Sequence, residues 1–266
     1  DATTVDKGIV IEDATVDSEG KATATSGSQF VWIPVGKIYT DTSKTEANAK
    51  TIELNRYTFD TNGNPTVQNE NIVETYFQEL ETSNKGNTVA KSILNFKTSV
   101  ATNGGYYIGR YEARQKNGKI TVTKNDTVWN NITQPNAATQ AQNMYDSTTF
   151  TSDLMNSYAW DTATLFLQTC GTNATYSRQI RVSTALSQTG TNTQSTKDVQ
   201  CNVYDMASNV REWTTETSNS SYGACVNRGG DYYYSSIYTS LRSDSSTSGS
   251  NGNVGFRPLL YVGLNS

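Results

Sequence analysis

Three short β-branched and aromatic runs are the densest strand signals in this chain: residues 29–36 (Gln-Phe-Val-Trp-Ile-Pro-Val-Gly), 104–113 (Gly-Gly-Tyr-Tyr-Ile-Gly-Arg-Tyr-Glu-Ala) and 255–262 (Gly-Phe-Arg-Pro-Leu-Leu-Tyr-Val). Each is strand-length, and each holds the residue types that fit a pleated, half-buried backbone. Between them the chain is polar. Hydrophobic residues make up 35% and charged residues only 17%, with Gly, Ser, Thr, Asn and Tyr filling the gap. Such a chain is suited to many short strands joined by long polar loops, not to a helical bundle. With 266 residues it can bury a sizeable core, as one domain or one domain with an extension.

Several functions are disfavoured at once. There is no histidine, which removes Ser-His-Asp and Cys-His catalysis and His-based zinc sites. The formal net charge is -4 and the basic residues form no stripe, so nucleic acid is not an expected partner. No apolar stretch has the length of a membrane span. The three cysteines, Cys170, Cys201 and Cys225, are far apart in sequence and allow at most one bridge plus a free thiol. Read individually, they are small buried hydrophobes.

In chain order, residues 1–28 read as a polar N-terminal extension. It holds one short edge strand at 8–11, a turn at Gly20-Lys21 and a linker at Ser26-Gly27-Ser28. Residues 29–36 form the first strong strand, stopped by Pro34. Residues 37–102 are harder to read. A strand is expected over 52–59, ended by the turn Asp60-Thr61-Asn62-Gly63-Asn64-Pro65, and an amphipathic helix over 89–100. Residues 104–113 alternate like a two-faced strand, and 119–122 should pair with it across Asn117-Gly118. Helices are expected over 137–145 and 157–167, followed by a surface loop over 168–197.

The C-terminal part is organised around residues 228–258. Arg228-Gly229-Gly230 asks for backbone freedom and close approach. Gly255-Phe256-Arg257-Pro258 opens the closing strand. Between them lie Asp231-Tyr232-Tyr233-Tyr234-Ser235-Ser236-Ile237-Tyr238-Thr239, a composition typical of adaptable binding loops. The contact residues expected there are Tyr233, Tyr234, Ser235, Ser236, Tyr238 and Thr239, then Asp231, Ser240 and Ser243. Ile237 and Leu241 are expected to point inward.

The run Asp205-Met206-Ala207-Ser208-Asn209-Val210-Arg211-Glu212-Trp213 resembles the signature Asp-Met-x-Gly-Asn-x-x-Glu-Trp of the formylglycine-generating enzyme (sulfatase-modifying factor) family, with Ser208 in place of glycine. The runs 30–36 and 107–112, Trp160-Asp161-Thr162-Ala163, Arg228-Gly229-Gly230 and Gly255-Phe256-Arg257 follow in the family's order. The resemblance implies an α+β, C-type-lectin-like fold with small mixed and antiparallel sheets, two helices and much irregular loop. It spans 29–266, with an insertion at about 37–102 and a variable segment at about 231–254. It also implies that Tyr232 points inward and that Arg242 and Arg257 are scaffold.

The resembling enzymes are oxidases that use two cysteines and copper. Tyr234 and Thr239 stand at the matching positions, so soft-metal binding is lost and neither copper nor catalysis is expected. Histidine-held iron, used by other members, is also lacking. A structural calcium is the one cofactor the resemblance implies, held by Asp205, Ser208, Val210 and Glu212. The alternative for Asp205 and Glu212 is turn and salt-bridge residues of a tight loop. Non-catalytic proteins of this kind are variable proteins of diversity-generating retroelements in bacteria or phage. Their segment before Gly-Phe-Arg is mutated through template adenines, and 231–246 contains only residues that a randomised Asn codon permits. The expected role is ligand binding, to a protein or glycan, at the cell surface or outside the cell. An anchor or pilin-like segment removed ahead of Asp1 belongs to that expectation. The rivals are a carbohydrate-binding or adhesin module without diversification, a purely structural domain and a sulfatase-modifying oxidase homologue.

Overall fold

The computed structural model describes residues 4–16, 18–19, 22–68, 73–74, 76–145, 148–191 and 198–264, with backbone alone at 15, 16 and 22–26. The expected turn at Gly20-Lys21 and the end of the expected 168–197 loop lie outside the described residues. Strand β1 (Val10–Val16) pairs antiparallel with β2 (Ala22–Pro34). Its register jumps between Glu12↔Gln29 and Ala14↔Thr25. The linker expected at Ser26-Gly27-Ser28 is therefore an irregularity inside β2. Gly27, at φ +80°, absorbs the extra backbone without reversing the chain.

The strand expected over 52–59 is split. Strands β3 (Gly36–Tyr39) and β4 (Ala49–Ile52) pair, as do β5 (Tyr57–Phe59) and β6 (Pro65–Val67). Residues 53–56 bend away between them, because the Asn55 and Tyr57 amides donate to Thr162 Oγ1 and Asp161 Oδ2, at 3.2 and 2.9 Å. The turn at Asp60 is as expected: its carboxylate accepts from the Asn62 and Asn64 amides, 2.8 Å each. Strand β7 (Phe77–Gln78) follows. Helix α1 (Ile93–Asn103) starts later than expected because Ser92 caps it, accepting from the Asn95 amide at 3.1 Å, and Gly104 at φ +76° ends it.

Strand β8 (Gly105–Gly109) is shorter than expected. The Asn117-Gly118 hairpin joins β9 (Arg114–Lys116) to β10 (Lys119–Thr121) and does not pair 119–122 with β8. A two-residue turn pairs the residues beside it, which fixes Lys116↔Lys119. Helix α2 (Gln134–Gln142), capped by Thr133, begins and ends earlier than expected. After β11 (Phe150–Leu154), helix α3 (Ser157–Cys170) starts on its Asn156 cap and runs past Leu167. The described residues thus form three α-helices, matching the three read from the sequence, where the family resemblance implied two. The remaining strands are β12 (Val199–Gln200), β13 (Val203–Tyr204), β14 (Arg211–Ser218), β15 (Cys225–Arg228), β16 (Arg242–Ser245), β17 (Val254–Phe256) and β18 (Pro258–Val262).

Two five-stranded sheets dominate this mixed α+β fold. The first, ordered β1-β2-β8-β18-β11, is antiparallel, and its inner face packs on α1 and α3 through Val31, Ile33, Phe96, Tyr106, Trp160 and Leu259. The second is ordered β16-β15-β14-β17, with β7 on the end of β14 and a parallel β14–β17 pair. It packs on α2 through Trp213, Phe256, Ala137, Ala138 and Ala141. The chain passes from the second sheet to the first at Arg257, so Phe256 fills one core and Leu259 the other. The expected closing strand is therefore two strands joined by a buried arginine. The N-terminal extension is an edge strand of the first sheet. Among the described residues no helix is long and apolar enough to cross a membrane.

Candidate functional site

The second sheet places three of the sequence motifs side by side. Glu212 on β14 lies opposite Arg228 on β15 and Gly255 on β17. Arg228 and Arg242, at either end of the tyrosine-rich run, are paired across β15 and β16. Both enter one buried charge network. Arg228 Nη1 and Arg242 Nε donate to Glu216, at 3.3 and 2.9 Å, and each arginine also binds Asp161. Arg56 from the 37–102 region adds a third guanidinium on Glu216. Burial alone would raise the Glu216 carboxyl, yet the three arginines hold it down at about 2. Arg228 also donates to the carbonyls of Ser240 (3.2 Å) and Leu241 (3.0 Å), fixing the backbone where the run ends.

Glu79 borders this network and has no cationic partner among the described residues. Its carboxylate accepts from Thr215 Oγ1 and the Ser157 amide, both at 2.6 Å, while burial and nearby Glu216 push it up to about 7. A carboxyl raised in the folded state contributes stability that is fully present below its ordinary pKa of 4.5. That contribution is lost as pH rises through 7. Gln in place of Glu79 keeps both hydrogen bonds, because the Thr215 hydroxyl can accept. Glu79→Gln should flatten the fall in stability between pH 4.5 and 8 by about 2 kcal/mol, allowing for partial solvent screening. Urea melts of both proteins across that range check this; parallel pH profiles would refute it.

The run between the arginines divides sharply by burial. Tyr233 and Tyr234 are 66% and 47% exposed, with their rings edge to face at 4.9 Å, and Ser235 and Ser236 are exposed beside them. Tyr238 is half-buried beneath the Arg178 guanidinium, 3.5 Å from its ring centre. Ser243 is half-buried and accepts from Arg211 Nη1 at 3.3 Å. Three expected contact residues are not at the surface. Asp231 is fully buried: one carboxylate oxygen accepts from the Tyr233 and Tyr234 amides (2.8 and 2.7 Å), and the other accepts from Asn253 (2.6 Å) and forms an ion pair with Arg211 Nε (2.9 Å). It shapes the turn that presents the tyrosines. Thr239 and Ser240 are buried because their amides donate to the Gln179 and Ser177 carbonyls, at 3.1 and 3.0 Å. Trp160 Nε1 also donates to the Thr239 carbonyl. Tyr232, Ile237 and Leu241, expected inward, are half-buried.

Sequence reasoning missed the residues that frame this surface. Arg181 Nη1 donates to the Tyr232 carbonyl at 2.9 Å and to that of Tyr233. Ile180, 45% exposed, bridges Tyr238 through backbone. Arg211 lies 5.4 Å from the Tyr234 ring centre. These residues sit on a loop with no periodic signal and on a strand more than twenty residues upstream. Only folding brings them to the tyrosines.

The 205–212 loop is a second buried charge cluster. Arg257 donates from Nε and Nη2 to the two Glu212 oxygens (3.0 and 2.7 Å), and to the carbonyls of Gly109 and Tyr204. Asp198, which the sequence did not single out, accepts from Tyr176 Oη, the Ala207 amide and Ser208 Oγ. Asp205, at φ +62°, is pushed up to about 7 by burial and then by Asp198. Glu112 is held well above the usual carboxylate range, by burial, Asp205 and Glu212. One buried oxygen each of Asp205 and Glu112 has no hydrogen-bond partner among the described residues. Of the two side chains expected to hold calcium, Glu212 has both carboxylate oxygens on the Arg257 guanidinium, while Asp205 keeps one buried oxygen without a partner among the described residues. Ser208, expected to serve through its carbonyl, gives its hydroxyl to Asp198.

Residues 95–260, from within α1 to within β18, match the model of the sulfatase-modifying factor enzyme 1-like domain. The chain belongs to that family. No curated protein matches the chain in a sequence search. In this sulfatase-modifying factor-like domain, the positions expected to correspond to the oxidase cysteines have unlike surroundings: Tyr234 is exposed and Thr239 buried. Cys225 is fully buried, pushed up to about 12 by burial, with its thiol 3.7 Å from Gln134 Oε1. A thiol so placed is a poor nucleophile near neutral pH.

Proposed function

We propose that this sulfatase-modifying factor-like domain is a non-catalytic binding protein of C-type-lectin-like architecture. Its Tyr233-Tyr234-Ser235-Ser236 surface would contact a protein or glycan outside the cell or at the cell surface, and a retroelement would diversify it. The observation that carries this reading is four consecutive exposed Tyr and Ser residues on a backbone locked by buried Arg228, Asp231 and Arg242. Two tyrosines supply broad amphipathic contact at low entropic cost, and rigid support lowers the cost of ordering on binding. Neither calcium nor copper is invoked.

Sister copies of the gene should vary at 233–236 and keep Asp231, Thr239, Ser240 and the framework arginines. Variation falling equally on buried and exposed positions would sink the diversification reading. Tyr233→Ser with Tyr234→Ser should change stability by no more than about 0.5 kcal/mol, since both rings are exposed. The same variant should lose at least tenfold in affinity for a binder selected from a cell-surface extract, as expected when aromatic anchors are removed. Full retention of affinity would place binding elsewhere.

A glycan-binding reading without diversification has one observation in its favour. Tyr222 and Tyr76, 85% and 53% exposed, flank a cavity of about 340 Å³ lined also by Phe77, Ser220, Ser221 and Asp244. Stacking rings beside a carboxylate and hydroxyls suit a sugar. A glycan array probed with wild type and Tyr222→Ala separates the two readings.

A further inference from the structure

Two of the three cysteines, 31 positions apart in sequence, meet in the fold. Cys170 is the last residue of α3, and Cys201 opens the tight turn between β12 and β13. Both line one cavity of about 170 Å³, together with Asp6, Lys7, Gly171 and Gln200. Their neighbours interlock. Gln200 Oε1 accepts from the Thr172 amide at 2.7 Å, and a side-chain carbon added at Gly171 would lie 2.2 Å from that oxygen. With residues 171 and 172 seated on residue 200, residue 170 is held beside 201. Neither cysteine is fully buried, and a charge on Cys170 is felt at Cys201. Cys225 lies apart in the second core.

We propose that Cys170 and Cys201 are a disulfide-forming pair, oxidised by a small-molecule disulfide through thiol–disulfide exchange. One thiolate attacks the small disulfide, forms a mixed disulfide and releases one small thiol. The other protein thiolate then displaces the second small thiol. Two protein thiols lose two electrons and two protons, the small disulfide gains them, and one internal S–S bond remains. Burial raises both thiols, to about 11 at Cys170 and about 12 at Cys201, so the exchange is slow at neutral pH and accelerates as pH rises.

The bond has a consequence for the tyrosine surface, and this part rests on the binding reading above. Residues 171–181 follow Cys170 directly and back the exposed run, through Ser177, Gln179 and Arg181. Tying Cys170 to the β12–β13 turn removes freedom from the segment that holds Tyr233, Thr239 and Ser240 in place.

The full chain, with Cys225→Ser to leave only this pair, is incubated with oxidised glutathione at mildly alkaline pH and analysed by intact mass and peptide mapping. The expected product has lost two hydrogens, carries no glutathione, yields one cross-linked 170–201 peptide and melts several degrees higher. Cys170→Ser in the same background should carry one glutathione instead. A chain that takes up two glutathiones without an internal link, or stays reduced while native, overturns the proposal. Hydrogen exchange tests the connection to the surface: oxidation should slow the Thr239 and Ser240 amides about tenfold. A cross-link that leaves those amides unchanged overturns that connection. The mass readout is independent of ligand binding, so failure of the binding reading leaves it intact.

Discussion

Glu216→Gln is expected to destabilise the domain by about 3–5 kcal/mol, the cost of breaking a buried ion network by removing one partner. Three buried guanidinia, from Arg56, Arg228 and Arg242, converge on this carboxylate, and after the substitution Asp161 would still pair with Arg228 and Arg242 while Arg56 would lose its Glu216 ion pair. Gln can accept at one oxygen, but its amide group would face an arginine donor. The pH dependence gives a second signature. A carboxyl held down at about 2 in the folded state contributes stability above its ordinary value of 4.5 and loses it as pH falls through 2. The gap between wild type and Glu216→Gln should therefore be widest above pH 5 and close toward pH 2. Urea denaturation across that range measures both. A loss below 1 kcal/mol at pH 7 would show that the network does not pin the run.

Gly230→Ala is expected to cost about 3–5 kcal/mol or to prevent folding, through close approach of backbone to backbone. A side-chain carbon at 230 would lie 1.9 Å from the Ala207 carbonyl oxygen. At Gly229 it would lie 2.5 Å from the Met206 carbonyl oxygen, with φ at +82° besides. The Arg-Gly-Gly segment thus lies flat on the 205–209 loop, and neither side is a movable side chain. Gly118→Ala is the control: its φ of +77° is positive, as at Gly229, but it meets nothing within 4 Å, so it should cost only about 1 kcal/mol. Equal effects at 118 and 230 would refute the close-approach argument.

Several features were legible because they follow from local chemistry. Strand β2 stops at Pro34, the Asp60 turn closes on its own carboxylate, and the Arg-Gly-Gly glycines announce crowding. Boundaries were less legible. The start of α1 depended on whether Ser92 or an earlier residue capped it. The 52–59 strand broke because Asp161, more than a hundred residues away, captured the Tyr57 amide. The partner of 119–122 followed from turn length, not from the nearest alternating run.

The site was legible as a stretch, but not residue by residue. Asp231, Thr239 and Ser240 share the polar character of a binding loop with Ser235 and Ser236, and composition cannot separate them. Burial does, because the 177–181 segment crosses behind the run and takes up the amides of Thr239 and Ser240. The same holds at the 205–212 loop, where the family resemblance implied oxygen ligands for calcium. Arg257, some fifty residues later, brings the cation that pairs Glu212.

What the sequence determined by itself is the set of short-range commitments: strand-length apolar runs, capped helices, glycines where backbone must crowd, and no histidine for catalysis. These depend on residues within a few positions of each other. What only the tertiary structure decided is which polar groups face one another across long separations: three arginines on Glu216, one on Glu212, and Cys170 beside Cys201. Charge pairing and burial depend on distance in space, which spacing along the chain does not encode.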